Sequence, residues 1–224
     1  MIAKVGPVPG PVKRSYDATR RRAAAEQTRL GILAAARELF EESGYTGTSV
    51  QDVARRAGVS LDTVYASVGR KPQLLLAVHD MALAEGPMPL PVADRDYVRA
   101  VRAAPTLEGR ITTYAAAMAR ILPRTVPILN ALREAGATDP ECAAQYTSLV
   151  ERRAANMRLF AADLRSTGEL RADLADDDVA DLVWSLNSAE WFGLVTSRGR
   201  TPEEYAALLT DVLVRTLSAG GARP

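Results

Sequence analysis

Between Ala18 and Glu42 the chain carries no proline and a single glycine, Gly31, and Leu30, Leu33, Ala36, Leu39 and Phe40 recur there three and four residues apart. That spacing is the period of a helix with one core-facing stripe. The same period returns in most stretches between later Gly and Pro breaks, and strand-like alternation stands out nowhere. Composition points the same way, with 39 Ala and 25 Leu among 224 residues and aromatics at only 5%. Alanine and leucine are strong helix formers, and scarce aromatics disfavour sheet. The expected fold class is all-α, with about nine or ten helices.

Local signals set the expected boundaries. Asp17 is placed to N-cap the first helix, and Ser43-Gly44 to end it, Gly44 suiting a left-handed cap. Thr48 and Gln51 have capping-box spacing before a short helix carrying Val50, Val53, Ala54 and Ala57. Gly58 interrupts, Ser60 can cap a third helix reaching about Val68, and Lys71-Pro72 opens a fourth that buries Leu74, Leu75, Val78 and Met81. The proline-rich segment Gly86–Pro91 then separates a first unit, residues 17–84, from a second, residues 92–224. In the second unit the expected helices are Asp94–Ala104, Thr106–Leu122 (broken before Pro123), Thr125–Ala135, a long one capped by Asp139-Pro140 and reaching about Ser166, Asp176–Ser197, and Pro202–Ala219. Residues 1–16 read as a disordered basic arm, because Pro and Gly crowd residues 5–12.

Several function classes recede. The longest stretch without Asp, Glu, Lys or Arg is about nine residues, short of the ~20 that span a bilayer. No apolar leader stands near Met1, so a cytoplasmic location is expected. One Cys precludes an internal disulfide framework, and one His leaves few metal or triad sites. Neither a cofactor, a metal site nor a catalytic residue is expected, and the chain does not read as an enzyme. Asp176-Asp177-Asp178 are better explained as acids at a helix N-terminus than as metal ligands. His79 reads as structural, and Cys142 as a small hydrophobe with thiol sensing as the alternative.

The net charge of +1 hides an asymmetry. Residues 1–71 hold twelve Lys or Arg against seven Asp or Glu, a net of +5, whereas the remaining 153 residues hold 16 against 20, a net of −4. A polyanion would bind the first part.

Two short helices joined by a glycine turn, the second capped by serine, outline a helix-turn-helix over residues 49–68. The second helix of such a motif enters the major groove N-terminus first, which calls for short polar side chains at that end. Ser60, Asp62, Thr63 and Ser67 supply them, and Leu61 and Ala66 can touch thymine methyls. Asp62 either accepts from a cytosine amino group or complements the helix dipole. Thr48, Ser49, Tyr65 and Lys71 are candidates for phosphate, with packing the alternative for Tyr65. Arg20, Arg21 and Arg22 can track phosphates or reach a minor groove.

These residues carry a resemblance. Leu33–Phe40, Gly44-Tyr45-Thr46-Gly47-Thr48-Ser49-Val50, Val53-Ala54, Ala57-Gly58-Val59-Ser60, Thr63-Val64-Tyr65 and Lys71 with Leu74-Leu75 closely resemble the DNA-binding domain of TetR-family (TetR/AcrR-like) transcriptional regulators, over about residues 17–82. Trp184-Ser185-Leu186, Glu190-Trp191 and Arg198–Tyr205 resemble that family's last two helices. Leu61, Asp62 and Val68 depart from its common residues, which bears on base preference. The resemblance implies a homodimer joined through the last two helices, reading a palindromic DNA operator and repressing until a small, largely hydrophobic ligand releases it. Candidate lining residues for that ligand are Met81, Met88, Tyr114, Met118, Ile121, Tyr146, Met157, Phe160, Trp184, Asn187 and Trp191, each also readable as core or dimer seam. The alternatives are an effector-independent DNA-binding protein or a protein-binding adaptor, with a metal-dependent helical enzyme the remotest.

Overall fold

A computed structural model describes residues 12–86 and 88–220, with side chains from Ala18 onward. Residues 1–11, most of the expected arm, lie outside the described residues. Ten α-helices and one short 3-10 turn make up the regular structure of the described residues, and the one β-bridge joins Leu170 to Ser218. The fold is all-α.

Helix α1, Val12–Gly47, begins five residues before the expected cap at Asp17 and runs past it. Gly44 departs from helical geometry at φ 68° and ψ −179°, so the regular part closes where the sequence placed it. Helix α2, Val50–Ala57, is capped one residue later than expected. Ser49 Oγ accepts from Asp52 N at 3.1 Å, and the Asp52 carboxylate accepts from Ser49 N at 3.0 Å. Thr48 is otherwise engaged: its hydroxyl donates to Leu39 O at 3.0 Å and to Gly44 O at 2.9 Å, serving the carbonyls that the end of α1 leaves open. Gly58 then takes the left-handed conformation (φ 68°) that only glycine adopts without strain. Helix α3, Leu61–Ser67, starts at Ser60, whose Oγ accepts from Thr63 N at 3.1 Å, as the sequence indicates. Helix α4 spans Lys71–Ala84 with Pro72 in its first turn.

After the 3-10 turn Val92–Asp94 come α5 (Asp96–Ala103), α6 (Leu107–Ala135), α7 (Pro140–Arg165), α8 (Asp176–Leu186), α9 (Ala189–Thr196) and α10 (Pro202–Leu217). Three expectations need correction. The segment Asp94–Ala104 divides into the 3-10 turn and α5. The segment Asp176–Ser197 divides at Asn187-Ser188, where Ser188 Oγ accepts from Trp191 N at 3.1 Å and starts a new helix. The largest correction concerns α6, which is continuous through Pro123 and Pro127. Each proline removes an amide and its helix bond, but Ile121, Leu122, Val126, Ile128 and Leu132 are buried on both sides of the lesion. Burial of such side chains is worth about 1.5–3 kcal/mol each, enough in sum to hold the rod together.

That continuity shapes the core. One cluster packs Leu33 of α1, Val53 of α2, Val64 of α3 and Leu74, Leu75 and Val78 of α4 against Ile128 and Leu132 of α6 and Cys142 and Leu149 of α7. The other packs Ile111, Tyr114 and Met118 of α6 with Phe160 and Leu164 of α7, Val183 of α8, and Tyr205, Leu209 and Leu213 of α10. Helix α6 therefore runs through both. At the far end, the Thr201–Glu204 capping box opens α10 as expected, and Arg171 N donates to Leu217 O at 2.9 Å to fasten its last turn.

Candidate DNA-reading helix and effector cavity

Helix α3 is held by one face. Val64 is its only buried residue, seated in the first core, while Leu61, Asp62, Tyr65 and Ala66 are exposed and Thr63 and Ser67 half-buried. Tyr65 is 46% exposed, which decides between its two readings: the ring is not a packing element. Ser60, also exposed, has its hydroxyl 2.8 Å from that of Thr63, so the N-terminal turn offers polar groups already ordered by their cap. Ser49 is exposed but its hydroxyl engages Asp52 at 2.6 Å. Thr48 is 2% exposed with its hydroxyl spent on α1, so that hydroxyl is not presented to a phosphate. Lys71 sits with Nζ 4.0 Å from the centre of the Tyr45 ring, and partial burial lowers its pKa. Arg20, Arg21 and Arg22 are exposed on α1, within the helix rather than on an extended arm. Arg29 of α1 donates to Ser67 O, and Arg56 of α2 bridges Glu42 at 2.8 Å and Glu38 at 3.2 Å, fixing α3 and α2 on α1.

Helix α4 ties this head to the body. Gln73 donates to Glu141 at the start of α7, Asp80 pairs with Arg152 of α7, and Glu85 accepts from Arg120 of α6 at 2.9 and 3.0 Å. Burial would raise the Asp80 pKa, but hydrogen bonds from His79 and Arg152 outweigh it and hold the carboxyl below the usual range. The Tyr45 hydroxyl lies 3.1 Å from Cys142 Sγ, and burial, with that partner, pushes the phenol well above its ordinary value.

On the other side of α4 lies a cavity of about 100 Å³ among α4, α5, α6, α7 and the α8–α9 break. Of the expected lining residues, Tyr114, Met118, Ile121, Tyr146, Met157 and Asn187 do line it. Phe160 instead stacks on Tyr114 at 4.4 Å and faces an adjoining hollow of about 40 Å³. Four others lie elsewhere. Met81 is buried in the first core and borders a groove between α1, α4 and α6. Met88 is exposed, and Trp184 packs under the Arg153 guanidinium at 5.3 Å. Trp191 packs on Tyr205 at 5.2 Å.

The polar lining is what an apolar search missed: His79, Arg95, Asn130, Arg152, Arg153 and Asn156. Their signal in the sequence is faint, because an arginine on a helix ordinarily faces water. At the helix break, the buried Asn187 amide donates to the Tyr114 hydroxyl, and its oxygen accepts from Arg153 Nε at 3.1 Å. Burial raises the Tyr114 pKa strongly and lowers those of His79 and Arg153. His79 is buried, and that burial favours its neutral ring. Asp176 and Asp177 pair with Arg165 at 2.8 Å and Arg158 at 3.1 Å, and Asp178 accepts from Ala175 N at 3.2 Å. Among the described residues no group of three His, Cys, Asp or Glu is placed to hold a metal ion, and no helix is long and apolar enough to cross a membrane.

Residues 32–78 match the family described as bacterial regulatory proteins, tetR family. The matched segment runs from α1 into α4 and contains the helix-turn-helix. Solved structures share its fold. A TetR-family regulator from a Rhodococcus species superposes with a TM-score of 0.64 at 19% identity, over 86% of this chain and 100% of that one. A transcriptional regulator from Saccharomonospora viridis, in complex with choline, gives 0.65 at 17% over 86% and 98%. SmeT in complex with triclosan gives 0.63 at 16% over 88% and 95%; SmeT is the repressor of a Stenotrophomonas maltophilia multidrug efflux pump. No curated protein matches the chain. Residues 32–78 thus resemble the corresponding part of a bacterial regulatory protein, and the rest of the chain shares the fold of such regulators.

Proposed function

We propose that this chain is a DNA-binding transcriptional repressor, acting in the cytoplasm as a homodimer that reads a palindromic operator with α3 and lets go when a small ligand enters the cavity. The observation that carries the proposal is the double duty of α4. Leu74, Leu75 and Val78 pack into the core that seats α3, while His79 and Leu83 of the same helix line the cavity. A ligand that enlarges the cavity must displace α4, and α4 carries the reading head with it. Release follows only if the ligand binds the displaced arrangement more tightly, a coupling of affinities between two sites.

The body supplies the dimer in this reading. Leu194 of α9 is 67% exposed, a large apolar side chain with no cover in the single chain, beside the last helix that the resemblance assigns to the seam. One seven-residue helix reads few base pairs, and two on half-sites about 34 Å apart give the affinity an operator needs. Groove residues in this reading are Ser60, Leu61, Asp62, Thr63, Ala66 and Ser67, with Ser49, Tyr65, Lys71 and Arg20–Arg22 toward phosphate. No catalytic residue is assigned. The test is fluorescence anisotropy on labelled DNA from the gene's own upstream region, titrated with and without small organic compounds. Salt-dependent binding to a palindrome that a compound reverses is the expected result. Failure to bind any palindrome there counts against autoregulation.

A further inference from the structure

The charges around the cavity do not balance. Four charged residues line it: Arg95, Arg152, Arg153 and Glu190. Two are already neutralised, Arg152 by Asp80 and Glu190 by Arg133 at 2.8 Å. Arg95 and Arg153 are not. Arg95 is only 5% exposed, and its side chain makes one hydrogen bond among the described residues, from Nε to Leu90 O at 3.3 Å. Among the described residues its two terminal nitrogens have no protein acceptor. Arg153 donates to Asn187 Oδ1 and Trp184 O, both neutral, and lies over the Trp184 ring. Among the described residues neither makes an ion pair; the Glu190 carboxylate is near enough to act on Arg153 but is held by Arg133. A guanidinium does not shed its proton in a protein, so each charge persists where water is scarce.

An uncompensated buried charge is costly, and a planar fork of donors matches a carboxylate in shape as well as sign. The remaining wall is apolar and aromatic, with Tyr114, Met118, Ile121, Leu122 and Met157. A cavity of about 100 Å³ is also small; one of roughly 150 Å³ accepts benzene in another protein.

Resting on the effector reading above, we propose that the cavity is built for a small organic anion, a carboxylate on one aromatic ring or a short branched alkyl body, its charge answering Arg95 and Arg153. A quaternary ammonium or a neutral amide of the same shape is excluded by the same imbalance. A cation would add to two unpaired positive charges, and an amide would leave them unpaired.

Isothermal titration of the full chain with benzoate, phenylacetate and 3-methylbutanoate, against benzamide and benzylamine as neutral and cationic counterparts, tests this. At least one acid is expected to bind, with its counterparts about tenfold weaker or more. Arg95→Met and Arg153→Met are each expected to weaken the acid by about tenfold or more. Should Arg153→Met fail to fold by circular dichroism, Arg95→Met carries the test, since it gives up a single hydrogen bond to backbone. Benzamide or benzylamine binding as tightly as the acids overturns the proposal, as does unchanged affinity in the folded variants. So does absence of binding by all three acids up to about 10 mM. An acid that binds through Arg95 yet leaves operator affinity unchanged keeps the anion site and removes the release mechanism. Operator release by a neutral compound, with no acid bound, does the reverse.

Discussion

The reading head and the cavity treat polar side chains in opposite ways. On α3 the polar groups are exposed, ordered by the cap at Ser60, and a single residue, Val64, anchors the helix. Around the cavity Asn187, His79 and Arg95 are buried, and Asn187 depends on Tyr114 and Arg153, partners far away in the chain. An exposed polar surface loses little water on meeting DNA and stays sensitive to salt. A buried polar lining has already lost its water, so it rejects any ligand that fails to replace the missing partners. The first arrangement suits a long polyanion read at its edges, the second a small molecule chosen by chemistry. Helix α6 makes one molecule of the two, because both cores lie along it.

Breaking α6 should therefore have the largest effect. Leu132 is fully buried in the head's core although it belongs to a body helix, and Leu132→Ala should cost about 2–5 kcal/mol. Urea unfolding followed by circular dichroism should keep a single transition; two separated transitions would show that the regions do not share a core. On the reading head, Tyr65→Ala should weaken operator binding by about 1.5–3 kcal/mol through a lost bond to phosphate. Its thermal stability should stay within about 0.5 kcal/mol of the parent, because the ring is exposed. A large loss of stability would sink the exposed-reader assignment. Asn187→Leu reverses that pattern: it removes one acceptor of Arg153 and the donor to the Tyr114 hydroxyl and should cost about 1–3 kcal/mol of stability while ligand-free operator affinity is kept. Ser60→Ala removes one cap and should cost about 1 kcal/mol, with a parallel loss in DNA binding.

The smallest effect concerns pH. The chain has one histidine, and burial lowers the pKa of His79 from 6.5. The unfolded chain then binds the extra proton first, so stability is present above pH 6.5 and is lost as pH falls through the lower folded value. Asp80, held below 3.8, adds a second loss only in more acid solution. His79→Gln should flatten the decline in melting temperature just below pH 6.5 and leave the steeper acid limb intact. An unchanged slope there would mean that the histidine is not buried neutral.

What was legible in advance follows a physical line. The helix-turn-helix, the caps at Ser60, Asp139 and Thr201 and the stop at Gly44 could be read because donor and acceptor lie within a few residues of one another. The cap at Ser49 rather than Thr48 could not, since Thr48 is claimed by Leu39 O, nine residues back. Arg95 and Arg153 look like solvated arginines in a string of letters, and only the packing of five elements shows them lining a cavity.

The sequence by itself determined that this chain is helical and that its basic end carries a helix-turn-helix. Those outcomes rest on backbone geometry, capping and period, all local. Tertiary structure alone decided that α6 survives two prolines and that, among the described residues, a buried Arg95 and a half-buried Arg153 form no ion pair. Both depend on contacts between segments distant in the chain. There, burial outweighs the lost helix bonds, and solvent is excluded from charges that any isolated segment would leave in water.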